Sequence, residues 1–101
     1  MFFDNSPIAI MQFTGLVDTV VNKNLSKQFD ENYIDSLNQW IFGQAVNIFS
    51  QIRNQFVLDN IYKLKYNFIE HDGVCKAYPS EELVKMFNMF GRQPVAFLVE
   101  K

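Results

Sequence analysis

The longest regular pattern of apolar positions lies in the middle of the chain and has the 3.6-residue period of an α-helix. It predicts a helix that begins at Ser26 or Asp30 and continues to about Val57. One continuous apolar stripe runs along this helix: Ile34, Leu37, Ile41, Ala45, Ile48, Ile52 and Phe56.

Four aromatic side chains flank the stripe, with Tyr33 and Trp40 on one side and Phe42 and Phe49 on the other. At 100° per residue they widen the apolar arc to about 200°, whereas a helix that covers one surface needs about 100°. We therefore expect this helix to bury more than one face, either at the centre of the monomer or against a second copy of the chain.

A shorter helix is predicted before the central one, over residues 7–22. Ser6 can cap it and Pro7 fits the first helical position, where a missing N–H is tolerated. Its apolar positions recur at three- and four-residue spacing: Ile10, Phe13, Val17, Val20 and Val21.

After Asn60 the period changes from 3.6 to 2, which is typical of a half-buried strand over residues 61–70. Asp72 and Gly73 form the pair favoured in a two-residue type I′ turn, and residues 74–78 supply the returning strand. The sequence therefore predicts a β-hairpin over about residues 61–78.

The last part of the chain predicts one short helix and one strand. Glu81 and Glu82 open the helix and Gly91 stops it, and the apolar run over residues 95–99 suits a strand covered on both faces. We expect that strand to lie beside the first hairpin strand or at an edge. The predicted fold class is α+β, in the order α-α-β-β-α-β, with the long central helix packed on a small three-stranded sheet.

Composition places limits on function. A chain of 101 residues has room for one core, so we expect a single domain over residues 1–101. The net charge of −2 argues against general nucleic-acid binding and against an anionic membrane partner.

The single cysteine, Cys75, suits a reducing, cytoplasmic location. Residues 1–5 lack the basic residues of a secretory signal, and no apolar stretch has the length and purity of a transmembrane helix.

Cys75 and His71 are the only thiol and the only imidazole, so a Cys-dependent enzyme has to be considered. With a two-residue turn, Cys75 pairs with Glu70 and His71 pairs with Val74, and paired residues share a face of the sheet. Cys75 and His71 then point to opposite sides and cannot exchange a proton. We predict no catalytic residues and read Cys75 as a small buried core residue.

Cofactor and metal sites are not expected either. The four glycines are isolated and form no phosphate-binding motif. A structural zinc site needs about four Cys or His ligands, and the chain has two such residues. The acidic residues at predicted helix starts suit the helix dipole.

The outer face of the predicted hairpin carries the remaining chemistry: Lys63, Lys65, Lys76 and Tyr78. Lysines beside an aromatic ring can bind single-stranded nucleic acid, and they can equally form a solvated face that blocks edge pairing. The solvated face is favoured, because Tyr78 is the only aromatic residue there and the chain is acidic overall.

We therefore predict a small non-catalytic protein that binds another protein as a homodimer, since its helices carry more apolar area than a three-stranded sheet covers. Inhibitors, adaptors and accessory factors, including those of viruses and mobile elements, are often of this kind. The predicted partner-binding residues are Trp40, Phe49, Lys63, Lys65, Lys76 and Tyr78. The alternatives are a single-stranded nucleic-acid-binding protein that uses the lysines and a small enzyme that uses Cys75.

Overall fold

The computed structural model describes residues 6–23, 31–50, 52 and 54–99, and within them the chain forms four helices and one antiparallel sheet of three strands. The elements are α1 (Ser6–Lys23), α2 (Glu31–Ile48), α3 (Gln55–Asn60), β1 (Tyr66–His71), β2 (Val74–Pro79), α4 (Glu81–Asn88) and β3 (Phe97–Val99). The α+β class is confirmed and, apart from the short α3, so is the predicted order. The caps expected at Ser26 or Asp30, and the side chain of Ser6, lie outside the described residues.

Helix α2 is central, as its wide apolar arc predicts. On one side Phe49, just after its last turn, packs on Phe13 of α1 with ring centroids 5.0 Å apart. On another side Tyr33 meets Phe97 of β3 edge-on at 6.4 Å. Part of the apolar arc is thus used within the monomer, which weakens the argument for a dimer that rests on this helix, whereas Phe42 and Val46 of α2 remain 47% and 43% exposed.

The predicted central helix is wrong in length, because the chain leaves the helix after Ile48 instead of continuing to Val57. Asn54 has extended backbone angles, and its side-chain oxygen accepts the N–H of Val57 at 3.2 Å, so it caps the separate helix α3. Ile52 and Val57 are buried all the same. The apolar stripe therefore continues across a break in the helix.

The hairpin register is the predicted one, with His71 opposite Val74 and Glu70 opposite Cys75. Asp72 and Gly73 have φ values of +52° and +77°, as a type I′ turn requires at both positions. The first strand begins at Tyr66 and not at residue 61, because Ile61–Lys63 form a 3₁₀ turn that follows α3.

Strand β3 is short, and Pro79 explains why. Strand β3 pairs with β2, so β2 is the central strand of the sheet. Of the two positions expected for the last strand, the structure has the one at an edge, beside the second hairpin strand. The N–H of Ser80 donates to the carbonyl of Lys65 at 2.8 Å, so alternate residues of β2, namely Cys75, Ala77 and position 79, direct their backbone groups towards β3. Proline has no N–H to donate there, and the ladder begins at Phe97.

Tyr66 supplies the hydrogen bond that Pro79 cannot. Continuing the register places Val95 opposite Pro79, and the Tyr66 hydroxyl donates to the Val95 carbonyl at 2.8 Å. Burial is the main reason that the pKa of Tyr66 lies well above its ordinary value, with Asp18 and Tyr33 contributing less. The phenol therefore remains a neutral donor well into the alkaline range.

Two glycines offer a matched test of backbone conformation. Gly43 lies within α2 with open space where a Cβ would be, so Gly43→Ala should raise the free energy of unfolding by about 0.5–1 kcal/mol. The same change at Gly73, where φ is +77°, should lower it by about 1 kcal/mol. Urea unfolding followed by circular dichroism measures both, and equal effects at the two positions would contradict this account.

Candidate functional site

The sheet has one face that packs largely on the helices and one open face. The first, here called the inner face, carries the buried side chains of Tyr66, Cys75, Ala77, Phe97 and Val99, whereas Phe68 and Glu70 of β1 lie on the same side and are exposed. The opposite surface, here called the outer face, consists of Asn67, Ile69, His71, Val74, Lys76, Tyr78 and Leu98, and all seven are exposed. No described residue covers this outer face.

The composition of the outer face is unusual for an exposed sheet surface. Antiparallel sheets with one solvated face normally place polar residues there. Here Ile69, Val74 and Leu98 are 49%, 50% and 63% exposed. The β1–β2–β3 register places Ile69, Lys76 and Leu98 in one row across the three strands, so a single ammonium group lies between two aliphatic side chains.

A shallow groove of about 320 Å³ follows this surface near the hairpin turn, bounded by Ile69, Val74, Lys76 and Tyr78 and closed at the tip by His71 and Asp72. His71 Nε2 lies 3.4 Å from an Asp72 carboxylate oxygen, and both side chains are almost fully exposed. A contact so exposed contributes little to stability. Lys76, on the central strand β2, is the cation at the centre of the face.

Of the six predicted partner-binding residues, the structure brings Lys76 and Tyr78 together on the outer face. Lys65 is exposed just before β1 begins. Lys63 is half-buried in the 3₁₀ turn, with its Nζ 5.6 Å from the centre of the Tyr62 ring. The lysines therefore do not form one stripe along a strand.

Two of the three aromatic members of the predicted set lie on the core side of the molecule. Phe49 is fully buried against Phe13, so it has no surface to offer a partner and is not part of the surface proposed below. Trp40 is half-buried and packs against the core cluster. Sequence periodicity placed both on the flanks of the central helix, but it could not show that Phe49 packs on α1 or that Trp40 packs against the core cluster.

Cys75 and His71 do not meet. Cys75 is buried on the inner face, whereas His71 is exposed at the tip on the outer face. Among the described residues no three His, Cys, Asp or Glu side chains are grouped as metal ligands. None of the described helices combines the length and the hydrophobicity that crossing a membrane requires.

Sequence reasoning missed Ile69, Val74 and Leu98 as surface residues. The predicted hairpin register already implied the side of Ile69 and Val74, but their β-branched character marks them equally as core positions. Leu98 joins them only through the pairing of β3 with β2, which no local pattern predicts. Comparison with protein-family models, with curated proteins and with solved structures finds no match to this chain.

Proposed function

We propose that this protein is a binding protein that holds another protein on the outer face of its sheet, without catalysing a reaction there. The supporting observation is the row formed by Ile69, Lys76 and Leu98, which exposes aliphatic area on a sheet whose other face packs largely on the helices. Exposed apolar area with a polar surround is typical of protein-binding surfaces.

The charge on the outer face indicates the chemistry of the partner. Lys76 is its central cation, and the Asp72 carboxylate at the edge lies beside His71. A partner that presents a carboxylate surrounded by aliphatic side chains would match both the ammonium group and the aliphatic side chains of this surface. Its carboxylate would pair with Lys76, and its aliphatic side chains would pack on Ile69 and Leu98 and exclude water. The proposed partner is a protein segment with acidic and aliphatic side chains.

A second copy of the chain fits this face less well. Symmetric packing of two outer faces about an axis near Lys76 would bring the two ammonium groups together, because a two-fold interface places the same patch on both subunits. We therefore do not assign the expected homodimer to this face. Nucleic acid is also less favourable, because Tyr78 is the only Phe, Tyr or Trp side chain on the face and Lys63 lies apart from it.

The test substitutes two residues at the centre of the outer face and compares their effect on partner capture with that of two similar substitutions elsewhere on the surface. The double variant Lys76→Glu, Leu98→Ser should lose at least 90% of partner capture in a pull-down from the native host. The matched control, Lys85→Glu with Leu58→Ser, alters an exposed lysine on α4 and an exposed leucine on α3 and should retain it. Circular dichroism should show both variants folded, and calorimetry with the purified partner should reproduce the difference.

Three kinds of result would overturn the proposal. The first is partner capture that the two double variants reduce equally, or no partner captured by the unaltered protein. The second is light scattering that shows a dimer which Lys76→Glu, Leu98→Ser dissociates, since the occupant would then be a second copy. The third is salt-sensitive binding of a single-stranded oligonucleotide that the same variant abolishes.

A further inference from the structure

A second groove lies on the helical side of the molecule, between α1 and α2. It has a volume of about 570 Å³ and is wide open to solvent, more so than the groove on the sheet. Its apolar wall is formed by Met11, Leu16, Val20 and Ile48, and Gln44 and Arg92 add polar groups. The α1 residues that line it, from Met11 to Val20, span about 13 Å of helix.

Arg92 is held in place over this groove by the end of α4. Gly91 has a φ of +68°, its N–H donates to the carbonyl of Asn88 at 3.1 Å, and the N–H of Arg92 donates to the carbonyl of Phe87 at 3.1 Å. These two bonds make the Schellman arrangement that closes many helices. The backbone of Arg92 is therefore fixed, and its guanidinium starts from a defined point.

The Arg92 guanidinium lies next to Gly15 of α1. A Cβ placed on Gly15 would lie 3.6 Å from Arg92 Nη1, which is an ordinary van der Waals distance, so the guanidinium is in contact range of α1 at this position. Arg92 is exposed and forms no ion pair with a described carboxylate. A guanidinium without an acidic partner at the rim of an apolar groove is suited to a ligand that combines a carboxylate with an apolar body.

We propose that this groove binds a monomeric carboxylic acid with a long apolar chain, with the carboxylate on Arg92 and the chain along Met11, Leu16 and Ile48. A single chain can lie along an open groove of this length, whereas a bilayer presents a broad surface and an anionic bilayer would be repelled by the net charge of −2. A second copy crossing at Gly15 would place two Arg92 guanidinium groups together. This site is separate from the outer face of the sheet and does not depend on its function.

The experiment uses decanoate as the probe, below its micelle-forming concentration, in calorimetric titrations of the full chain. Acetate supplies the head group alone and decanol supplies the chain with a neutral head. Decanoate should bind at least tenfold more tightly than either. Arg92→Gln should weaken decanoate binding at least tenfold and leave decanol unchanged, whereas Lys85→Gln, a matched exposed cation on α4, should change neither.

A second variant tests the groove itself. Gly15→Leu puts a side chain into the space between α1 and Arg92, so it should abolish decanoate binding while circular dichroism shows an intact fold. The proposal would be overturned by decanoate binding that Arg92→Gln and Gly15→Leu leave intact. It would equally be overturned by binding to anionic phospholipid vesicles without binding to the monomer, or by a dimer in light scattering that Gly15→Leu dissociates.

Discussion

Phe49→Ala should lower the free energy of unfolding by about 3–5 kcal/mol, the cost usual for removing a fully buried phenyl ring. Phe49 has no exposed surface, and its ring meets Phe13 at 5.0 Å where α1 and α2 pack. The change removes apolar contacts and leaves a cavity that rigid neighbouring helices fill incompletely. Since domains of this size are stable by about 5–15 kcal/mol, the loss is a large share of the total.

Phe42 is the matched control, because it is the same residue type on the same side of α2 in the sequence pattern, yet 47% exposed. Phe42→Ala should cost less than about 1 kcal/mol. Urea unfolding followed by the fluorescence of Trp40 and by circular dichroism measures both variants. Similar losses for the two, or a loss below about 1 kcal/mol for Phe49→Ala, would show that Phe49 is not the core contact described here.

The contrast between these two phenylalanines illustrates what the sequence could predict. The 3.6-residue period assigned both to flanks of one helix, and it correctly required that helix to bury more than one face. Which flank α1 covers depends on the packing of segments distant in sequence, and periodicity carries no information on that. The expectation that Phe49 faces a partner was therefore drawn from the same pattern that, in the folded chain, places it in the core.

Local signals predicted the turns better than the element lengths. Asp72 and Gly73 fixed the hairpin register because few residues accept positive φ at both positions. Asn54 begins a new helix by capping it, but a single Asn inside an apolar period is also compatible with an unbroken helix. Period 2 over residues 61–70 likewise could not show that the first of them form a 3₁₀ turn, since alternation does not depend on hydrogen bonding.

The candidate sites divide in the same way. Lys76 and Tyr78 were predicted on the outer face because the hairpin register follows from local turn chemistry. Leu98 joins them through the pairing of β3 with β2, and Arg92 reaches Gly15 through the contact of α4 with α1. Those pairings join segments far apart in the chain, and they determine which exposed side chains form a continuous surface.

One long-range contact that no sequence pattern revealed is the side chain of Asn38. Its amide nitrogen donates to the Tyr66 carbonyl at 2.9 Å, and its amide oxygen accepts the Tyr66 N–H at 2.8 Å. In an antiparallel pair, the backbone N–H and C=O groups of successive residues point alternately towards and away from the partner strand. The Lys65 carbonyl points towards β2, where it accepts the Ser80 N–H, so the N–H and carbonyl of Tyr66 point away from β2, to the free edge of β1. Asn38 thus fastens α2 to the first residue of the sheet.

Asn38→Ala should therefore lower the free energy of unfolding by about 2–4 kcal/mol, because it leaves a partly buried N–H and a carbonyl without partners. Asn38→Asp is the discriminating variant. It keeps the acceptor for the Tyr66 N–H but places a carboxylate against the Tyr66 carbonyl, so the pKa of the introduced carboxyl should rise above its value of about 3.9 in the unfolded chain. Its protonated form can donate to that carbonyl, and its ionised form cannot.

The sign of the pH effect follows from that raised pKa. The protonated carboxyl of Asn38→Asp contributes its full stabilisation when the pH is below the pKa of this carboxyl in the unfolded chain. That stabilisation is lost as the pH rises through the higher pKa of the same carboxyl in the folded chain. Relative to the unaltered protein, Asn38→Asp should be nearly as stable at pH 3.5 and clearly less stable at pH 7, whereas the deficit of Asn38→Ala should not change with pH. Urea unfolding at both pH values measures the two differences. A deficit of Asn38→Asp that is equal at both would contradict the paired hydrogen bonds by which α2 holds the edge of the sheet.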